Sequence, residues 1–169
     1  MSLAKDLLTQ ARQLATREPK RPKQASLRRA ISAAYYSLFH LLTGEAAKLL
    51  LRGNELQPFQ GLMRRAFNHS AMKTAARAFA GGTLTPKISG AFTGSISLDL
   101  MTVASAFVDL QDARHQADYD LSHSFTRRET LDLVEMAEDA FRRWQLVRKQ
   151  VEAKAFLVML LSYESLRKR

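Results

Sequence analysis

Apolar residues recur every three or four positions along most of the chain, a spacing typical of amphipathic helices. Five helices are predicted in this way, over residues 3–17, 25–51, 58–79, 98–121 and 126–151. The apolar stripe of the first is formed by Leu3, Leu7, Leu8, Ala11 and Leu14. The fifth begins at Thr126-Arg127-Arg128-Glu129, which has the form of a capping box. No segment alternates with the period of a half-buried strand, so the pattern predicts an all-α protein.

The segments between and after these helices are less regular. Residues 80–97 hold four glycines and are predicted to be a flexible connector, because the pair Gly81-Gly82 matches no phosphate-loop spacing. Residues 153–166 either continue the fifth helix or form a short sixth one. The chain is therefore divided into a domain over 1–152 and a helical tail over 153–169, which either belongs to that domain or docks on a partner.

Lysine and arginine outnumber the acidic residues by 26 to 16, which gives the chain a net charge of +10. Such a surface attracts polyanions such as nucleic acid, and it also suits an acidic protein partner. The longest apolar runs fall short of the roughly 20 residues that a transmembrane helix needs. With no cysteine and no evident secretion signal, a soluble cytoplasmic protein without membrane contact is expected. The four histidines are scattered, so neither a metal site nor a cofactor is predicted.

The segment RRAISAAYYSLFHLL, residues 28–42, combines a helical apolar pattern with groups that are costly to bury. Residues four apart share a helix face, which predicts one polar line at Arg28, Ser32, Tyr36 and His40. Bulky residues form an adjoining line at Tyr35, Phe39 and Leu42. We expect the polar edge to face a groove or a partner helix, where each head group finds a hydrogen bond or an opposite charge.

A second polar segment, ARHQADYDL, lies at the end of the fourth predicted helix. Arg114 and Asp118 are four positions apart and are expected to pair along the helix. His115 and Tyr119 have the same spacing on a neighbouring face. The segment therefore offers a cation, a carboxylate and two rings to whatever packs beside it.

The two polar segments are expected to meet across a helix–helix contact. Asp118 or Asp120 would then face Arg28 or Arg29. Such a charge cluster either fixes the register of two helices or forms a functional site, and the sequence leaves both readings open.

Together these segments resemble the HEPN family, in particular a prokaryotic HEPN-like branch with the motifs RAxxxAYYxxFH and RxxADYD. The first motif is matched by Arg29, Ala30, Tyr35, Tyr36, Phe39 and His40. The second is matched by Arg114, Ala117, Asp118 and Tyr119. The segment FNHSAMKTAARAF also resembles the place where this branch carries a histidine, here His69. The resemblance covers roughly residues 3–148.

The resemblance implies an antiparallel up-and-down bundle of about five main helices, here with a C-terminal helical extension and often assembled as a homodimer. It also implies a link to RNA or nucleotides. Many HEPN proteins are metal-independent ribonucleases, commonly toxins or defence proteins, and some are paired with a nucleotidyltransferase-fold protein. The resemblance therefore implies a toxin–antitoxin role or a role with nucleic acids.

The active motif of the family is an arginine followed, after four to six intervening residues, by a histidine. Arginine faces the developing negative charge and histidine moves protons. At those spacings Arg114 is followed by Tyr119, Asp120 and Leu121, so the chain departs from the motif. This departure argues against ribonuclease activity by the usual mechanism of the family.

A histidine from another helix would restore the missing imidazole if His40 or His69 converged on Arg114. The favoured site is a polar pocket of His40, Tyr36, Arg114 and Tyr119, with Arg114 and His40 as catalytic candidates. The alternative for His40 is a histidine hydrogen-bonded inside the bundle. The wider binding or structural network is expected to include Arg28, Arg29, Tyr35, Tyr36, His69, His115, Asp118 and Tyr119.

Two functions follow from this pattern. The first is a HEPN-like protein associated with RNA or nucleotides, whether or not it is an enzyme. The second is a non-catalytic module for helical dimerisation or for an accessory role in a larger assembly. Binding that weakens with salt would favour the first, because phosphate contacts release counterions.

Overall fold

A computed structural model describes residues 2–81, 84–91 and 95–167, and it contains no β-strand within these ranges. The α-helices, in chain order, are α1 (Leu3–Thr16), α2 (Gln24–Leu50), α3 (Gln60–Arg65), α4 (His69–Ala80), α5 (Pro86–Ser89), α6 (Leu98–Tyr119), α7 (Arg127–Val147) and α8 (Val151–Arg167). A 3-10 helix, Asn54–Phe59, precedes α3. The prediction of an all-α helical bundle is confirmed. None of the described helices is both long and apolar enough to cross a membrane.

The helix predicted over residues 58–79 is interrupted, so its predicted continuity is wrong. The chain first forms the 3-10 helix and α3, and α4 then starts after Asn68. The side-chain oxygen of Asn68 accepts hydrogen bonds from the backbone N–H groups of Ser70 at 2.9 Å and Ala71 at 3.1 Å. Because these N–H groups have no partner inside the first turn, an asparagine at this position favours a new helix start.

The predicted connector over residues 80–97 contains a helical turn, α5, with proline at its first position. Proline suits this position because its ring already fixes the backbone angle of a helix and its missing N–H leaves no unpaired donor. Gly82 of the glycine pair lies outside the described residues.

The predicted capping box forms at the start of α7. The backbone N–H of Thr126 donates to Glu129 Oε2 at 2.7 Å, and the backbone N–H of Glu129 donates to Thr126 Oγ1 at 3.2 Å. The hydrogen bond from the N–H of Thr126, followed by that from its hydroxyl, lowers the pKa of Glu129 below its ordinary 4.5. The ionised carboxylate is therefore the form that holds this helix end.

The chain divides into two compact units. The first takes in the described residues of Met1–His40 and Ala106–Arg142, and the second takes in those of Leu41–Ser105 and Arg143–Arg169. The first unit thus contains α1, the N-terminal part of α2, the C-terminal part of α6 and most of α7. All polar residues of the two HEPN-like motifs lie in the first unit.

In the first unit, α2 and α6 run antiparallel. The ring centroids of Tyr35 and Phe107 lie 5.6 Å apart, whereas Ser32, one turn earlier on α2, donates to Asp118, three turns later on α6. This arrangement brings the polar edge of α2 against the polar end of α6, as the sequence predicts.

The helices α1 and α7 of the same unit are antiparallel as well. Arg12 on α1 donates from Nη2 to Glu138 Oε2 at 2.5 Å on α7. Beyond the end of α1, the carbonyl oxygens of Glu18 and Pro19 accept hydrogen bonds from Arg127 at the start of α7. The end of one helix thus lies beside the beginning of the other.

The helix α1 buries alanines instead of the leucines that dominate its pattern. Ala4, Ala11 and Ala15 are buried, whereas Leu7 and Leu14 are only partly covered. Small side chains allow close approach between helices, so the alanine face suits the contact and the leucines fall at its edge. These two leucines become part of a surface cleft described below.

In the second unit, α8 packs its apolar side against α4. The ring centroids of Phe79 and Phe156 lie 5.0 Å apart. The buried residues of α8 are Ala153, Phe156, Leu157, Leu160 and Tyr163. The tail predicted over residues 153–169 is therefore helical and already uses its apolar side within this unit, while Lys168 and Arg169 lie outside the described residues.

The helix α7 ends at Val147, earlier than the predicted end near residue 151. Val151 is 69% exposed at the start of α8 and does not extend the buried stripe of α7. Trp144, also in the second unit, is fully buried and is the last large apolar anchor of α7. Of the two alternatives for residues 153–166, the one with a short helix separate from α7 is thus the correct one.

Candidate functional site

The two HEPN-like motifs meet through a chain of polar contacts in the first unit. Arg114 Nη2 donates to the hydroxyl oxygen of Tyr36 at 3.0 Å. Arg114 Nε lies 2.7 Å from Asp118 Oδ2, an ion pair in which the N–H is not aligned with the oxygen. Ser32 Oγ donates to the other oxygen of Asp118 at 2.7 Å. The predicted pairing of Arg114 with Asp118 is confirmed, and both side chains are mostly covered, at 21% and 25% exposed.

The guanidinium of Arg114 also lies over two tyrosine rings. Its central carbon is 5.5 Å from the ring centroid of Tyr36 and 5.7 Å from that of Tyr119, within the range of cation–π attraction. Tyr119, however, is 65% exposed. The residues of the predicted pocket thus differ in exposure: Tyr36 and Arg114 are partly covered, and Tyr119 lies at the surface.

His40 lies on the other helix, one turn beyond Tyr36. The two rings are stacked with centroids 6.3 Å apart, and the ring of Phe39 meets that of His40 edge-on at 5.4 Å. Tyr36 therefore contacts both of the residues proposed as catalytic, Arg114 and His40. His40 is partly covered, which keeps open its reading as a histidine held inside the bundle.

Tyr35 is fully buried beside this group. Burial, together with the neighbouring Tyr36, raises the pKa of its phenol, against a smaller opposing effect of the Arg114 cation. Tyr35 therefore stays neutral at physiological pH and serves as packing, with its ring 5.2 Å from that of Tyr36.

Arg28 does not meet a carboxylate, in contrast to the prediction. Its guanidinium donates to the backbone carbonyl oxygens of Ala117 at 2.7 Å and Asp120 at 2.9 Å, and also to that of His123. These carbonyls belong to the C-terminal end of α6 and the turn after it, where the helix itself provides no N–H partner. Arg28, which belongs to α2, thus caps the C-terminal end of α6, and its role is structural.

Arg29 has different surroundings from Arg28. Its side chain is exposed, and among the residues that the structure describes it makes no ion pair. It lines a cleft of about 360 Å³ between α1 and α2, here called the α1–α2 cleft. The residues of this cleft are Leu7, Gln10, Leu14, Arg29, Ser32, Ala33 and Tyr36. The cleft thus joins an apolar wall from α1 to a polar wall from α2.

The sequence did not reveal this cleft, because Leu7 and Leu14 fit a core stripe as well as a cleft wall. The signal that was available is the alanine spacing on α1, since Ala4, Ala11 and Ala15 also share a helix face. A helix with a small-residue face can pack on that face and leave its larger residues beside it.

A second depression, here called the α6–α7 groove, is larger, at about 590 Å³. Its lining residues are Asp112, Ala113, Gln116, His123, Phe125, Glu129, Asp132, Leu133 and Met136. Three of them are acidic, and one of these, Asp132, is paired with Arg128 at 3.0 Å. The floor includes Phe125, whose carbonyl accepts a hydrogen bond from the side-chain amide of Gln24 at 2.7 Å and whose N–H donates to the same amide at 3.0 Å.

The other two histidines of the predicted network lie elsewhere. His115 is exposed, with its ring 4.9 Å from that of Tyr119. His69 is the first residue of α4 and belongs to the second unit, whereas Tyr36 and Arg114 belong to the first. In the described ranges, no three His, Asp or Glu side chains form a group that would hold a metal ion.

Comparison with known proteins gives no assignment. No protein-family model matches the chain, and neither a curated protein nor a solved structure matches it significantly. A function is therefore inferred from the structure itself, in particular from the surroundings of Arg29, Tyr36 and Arg114.

Proposed function

We propose that the chain is a HEPN-type protein that binds RNA, or a nucleotide, through a phosphate held in the α1–α2 cleft. The observation that carries this proposal is the exposed Arg29 at the cleft, a guanidinium that makes no ion pair among the described residues. Guanidinium is a strong partner for phosphate because it donates two parallel, charge-assisted hydrogen bonds. The net charge of +10 supports it through long-range attraction of polyanions.

The opposite wall of the cleft supports a ligand with an apolar part. Leu7 and Leu14 offer partly covered aliphatic surface from α1. Ligand sites commonly combine such apolar walls with a few placed polar groups. A ribose or base attached to the phosphate would find that combination here, whereas a free inorganic anion would use only the polar wall.

We further propose that this protein binds RNA without cleaving it. In the family motif the arginine acts together with a histidine, but the positions that follow Arg114 at the motif spacing hold Tyr119, Asp120 and Leu121. Arg114 is also paired with Asp118, which neutralises the charge that a transition state would need. The resemblance to HEPN proteins supports the fold and the ligand class more than it supports the reaction.

Binding of a short single-stranded RNA at two salt concentrations tests the proposal. The affinity is expected to fall as salt rises, because neutralised phosphates release counterions. Arg29→Ala should lower the affinity by roughly three- to tenfold and the salt slope by about 0.7, the value for one phosphate contact on a single strand. The matched control is Arg128→Ala, which removes the same charge from the exposed partner of Asp132, a residue of the α6–α7 groove, and should change the affinity less than twofold.

Incubation of RNA with the wild type, Arg114→Ala and His40→Ala tests the absence of cleavage. Equal and negligible turnover in all three proteins is expected. Turnover by the wild type that both variants lose would overturn this part of the proposal and restore a catalytic pair. Binding that ignores salt and Arg29→Ala would overturn the phosphate site itself.

A non-catalytic interaction module is the second candidate, favoured by one observation. Arg28 and Arg114, both in the polar motifs, are already used inside the fold, on carbonyl oxygens and on Asp118. The HEPN resemblance adds a homodimer, a cytoplasmic toxin–antitoxin setting and a nucleotidyltransferase-fold partner as further proposals. Light scattering of the chain alone and mixed with such a partner separates them, since a module without RNA affinity should still assemble.

A further inference from the structure

Two exposed aromatic rings lie side by side at the end of α6. Tyr119 is the last residue of this helix and is 65% exposed, and His115 is one turn earlier and exposed as well. Their ring centroids are 4.9 Å apart with 51° between the ring planes. Exposed aromatic rings offer a flat surface on which a nucleobase can stack.

The ring of Tyr119 is linked to the α1–α2 cleft by Arg114. The same guanidinium lies over Tyr119 at 5.7 Å and over Tyr36 at 5.5 Å, and Tyr36 lines the cleft. A cation beside a tyrosine ring attracts it, although weakly at an exposed site. Tyr119 therefore lies near the cleft and is open to solvent over much of its surface.

The charges around Tyr119 favour an uncharged ligand group at this point. Asp118 is paired with Arg114. Asp120 accepts hydrogen bonds from the hydroxyl of Ser122 at 2.6 Å and from the backbone N–H of Ser122 at 3.0 Å, which keep its pKa below the ordinary value and the carboxylate ionised. With Asp118 paired, the ionised carboxylate of Asp120 disfavours a phosphate beside the ring, whereas a nucleobase carries no charge and can stack on a ring.

We infer that Tyr119, with the ring of His115 beside it, is a stacking site for a nucleobase of single-stranded RNA whose phosphate lies in the α1–α2 cleft. The inference rests on the proposed function, and it adds the ligand class: a strand with unpaired bases, and not a duplex or a bare polyanion. Stacking of this kind is tolerant of base identity, because every base has a π-face. The site therefore predicts RNA binding without strong sequence preference.

The test compares two single-stranded oligonucleotides of equal length and charge, one with bases and one abasic. Wild type is expected to bind the strand with bases at least fivefold more tightly. Tyr119→Ala should lose that difference and retain its affinity for the abasic strand, whereas Tyr119→Phe should keep it, because a phenyl ring still stacks. A strand carrying 2-aminopurine gives a second readout, since stacking on Tyr119 quenches its fluorescence.

The outcomes separate the stacking site from the phosphate site. If wild type binds both strands equally and with salt dependence, the stacking inference is overturned and the phosphate proposal stands. If Tyr119→Ala and Tyr119→Phe lose affinity alike for both strands, the stacking role of the ring is overturned as well. If wild type binds neither strand, the proposed function fails first, and the inference fails with it.

Discussion

The two depressions on the first unit differ in charge in a way that their sizes do not predict. The α6–α7 groove has about 590 Å³ against about 360 Å³ for the α1–α2 cleft. The larger one is lined by three carboxylates and the smaller one by an exposed arginine. On a chain of net charge +10, the acidic groove would be the last place to receive RNA. Volume alone would therefore select the wrong depression for a polyanion.

Two arginine–aspartate pairs with a spacing of four residues can be compared: one on α6, which contacts Ser32 and Tyr36 of the cleft, and one on α7, whose aspartate lines the groove. Arg114 and Asp118 are 21% and 25% exposed, whereas Arg128 and Asp132 are 86% and 51% exposed. Water screens the second pair strongly and the first pair weakly. The same sequence spacing thus produces a positioned group beside the cleft and an ordinary surface pair beside the groove.

The largest effect is expected from Arg28, whose guanidinium lies 5.5 Å from the ring centroid of Phe125, a residue of the groove. Arg28→Ala would remove this guanidinium and leave three carbonyl oxygens, at the end of α6 and in the turn after it, without their donor. We expect a loss of about 3 kcal/mol in the free energy of unfolding, measured by urea denaturation. Arg29→Ala is the adjacent control and should stay within about 0.5 kcal/mol. Equal losses would mean that the two arginines do not divide their roles as described.

An intermediate effect is expected from neutralising one aspartate at each depression. Asp118→Asn removes a negative charge near the cleft and frees Arg114, so RNA affinity should rise roughly two- to fivefold. Asp132→Asn removes the same charge from the groove and should have almost no effect. Fluorescence anisotropy with one labelled RNA measures both. A larger gain for Asp132→Asn would move the phosphate site to the groove and reverse the comparison.

The smallest effect is expected on the thermal stability contributed by Glu129, an acidic residue of the α6–α7 groove. The pKa of Glu129 is lowered in the folded protein, chiefly by the hydrogen bond from the N–H of Thr126, so its ionised form stabilises the fold. The contribution is fully present above the ordinary pKa of 4.5 and is lost as the pH falls through the lower folded value. The Tm advantage of the wild type over Glu129→Gln should therefore shrink as the pH is lowered across this window. An advantage that does not change with pH would show that the charge of Glu129 does not hold α7.

Local features of the fold were predictable from the sequence, because their causes lie within a few residues. The capping box at Thr126 and Glu129 needs only its own four residues. The pairing of Arg114 with Asp118 needs only the helical repeat. The break before Asn68 was missed although its cause is also local, because the apolar pattern runs through it and masks the cap.

Features that depend on the packing of distant segments were only partly predictable. That α2 and α6 meet was predicted, but the partner of Arg28 was not, because backbone carbonyl oxygens carry no residue-specific signal. The cleft was missed because the burial of Leu7 and Leu14 is decided by which face of α1 packs. The exposure of Tyr119, on which the stacking site depends, likewise follows from where α6 ends.

The side-chain amide of Gln24 is hydrogen-bonded to the N–H and the carbonyl of Phe125, 101 positions later in the sequence. Arg12 donates a hydrogen bond to Glu138, which is 126 positions later. Residues 41–105, which form most of the second unit, have to be synthesised between these partners. During translation, α1 and the start of α2 would therefore leave the ribosome long before the segments that cover them exist. Closure of the first unit is expected to be a late and comparatively slow step, because distant segments must find each other. The α1–α2 cleft and the ring of Tyr119 would then be brought together only after α6 has been made.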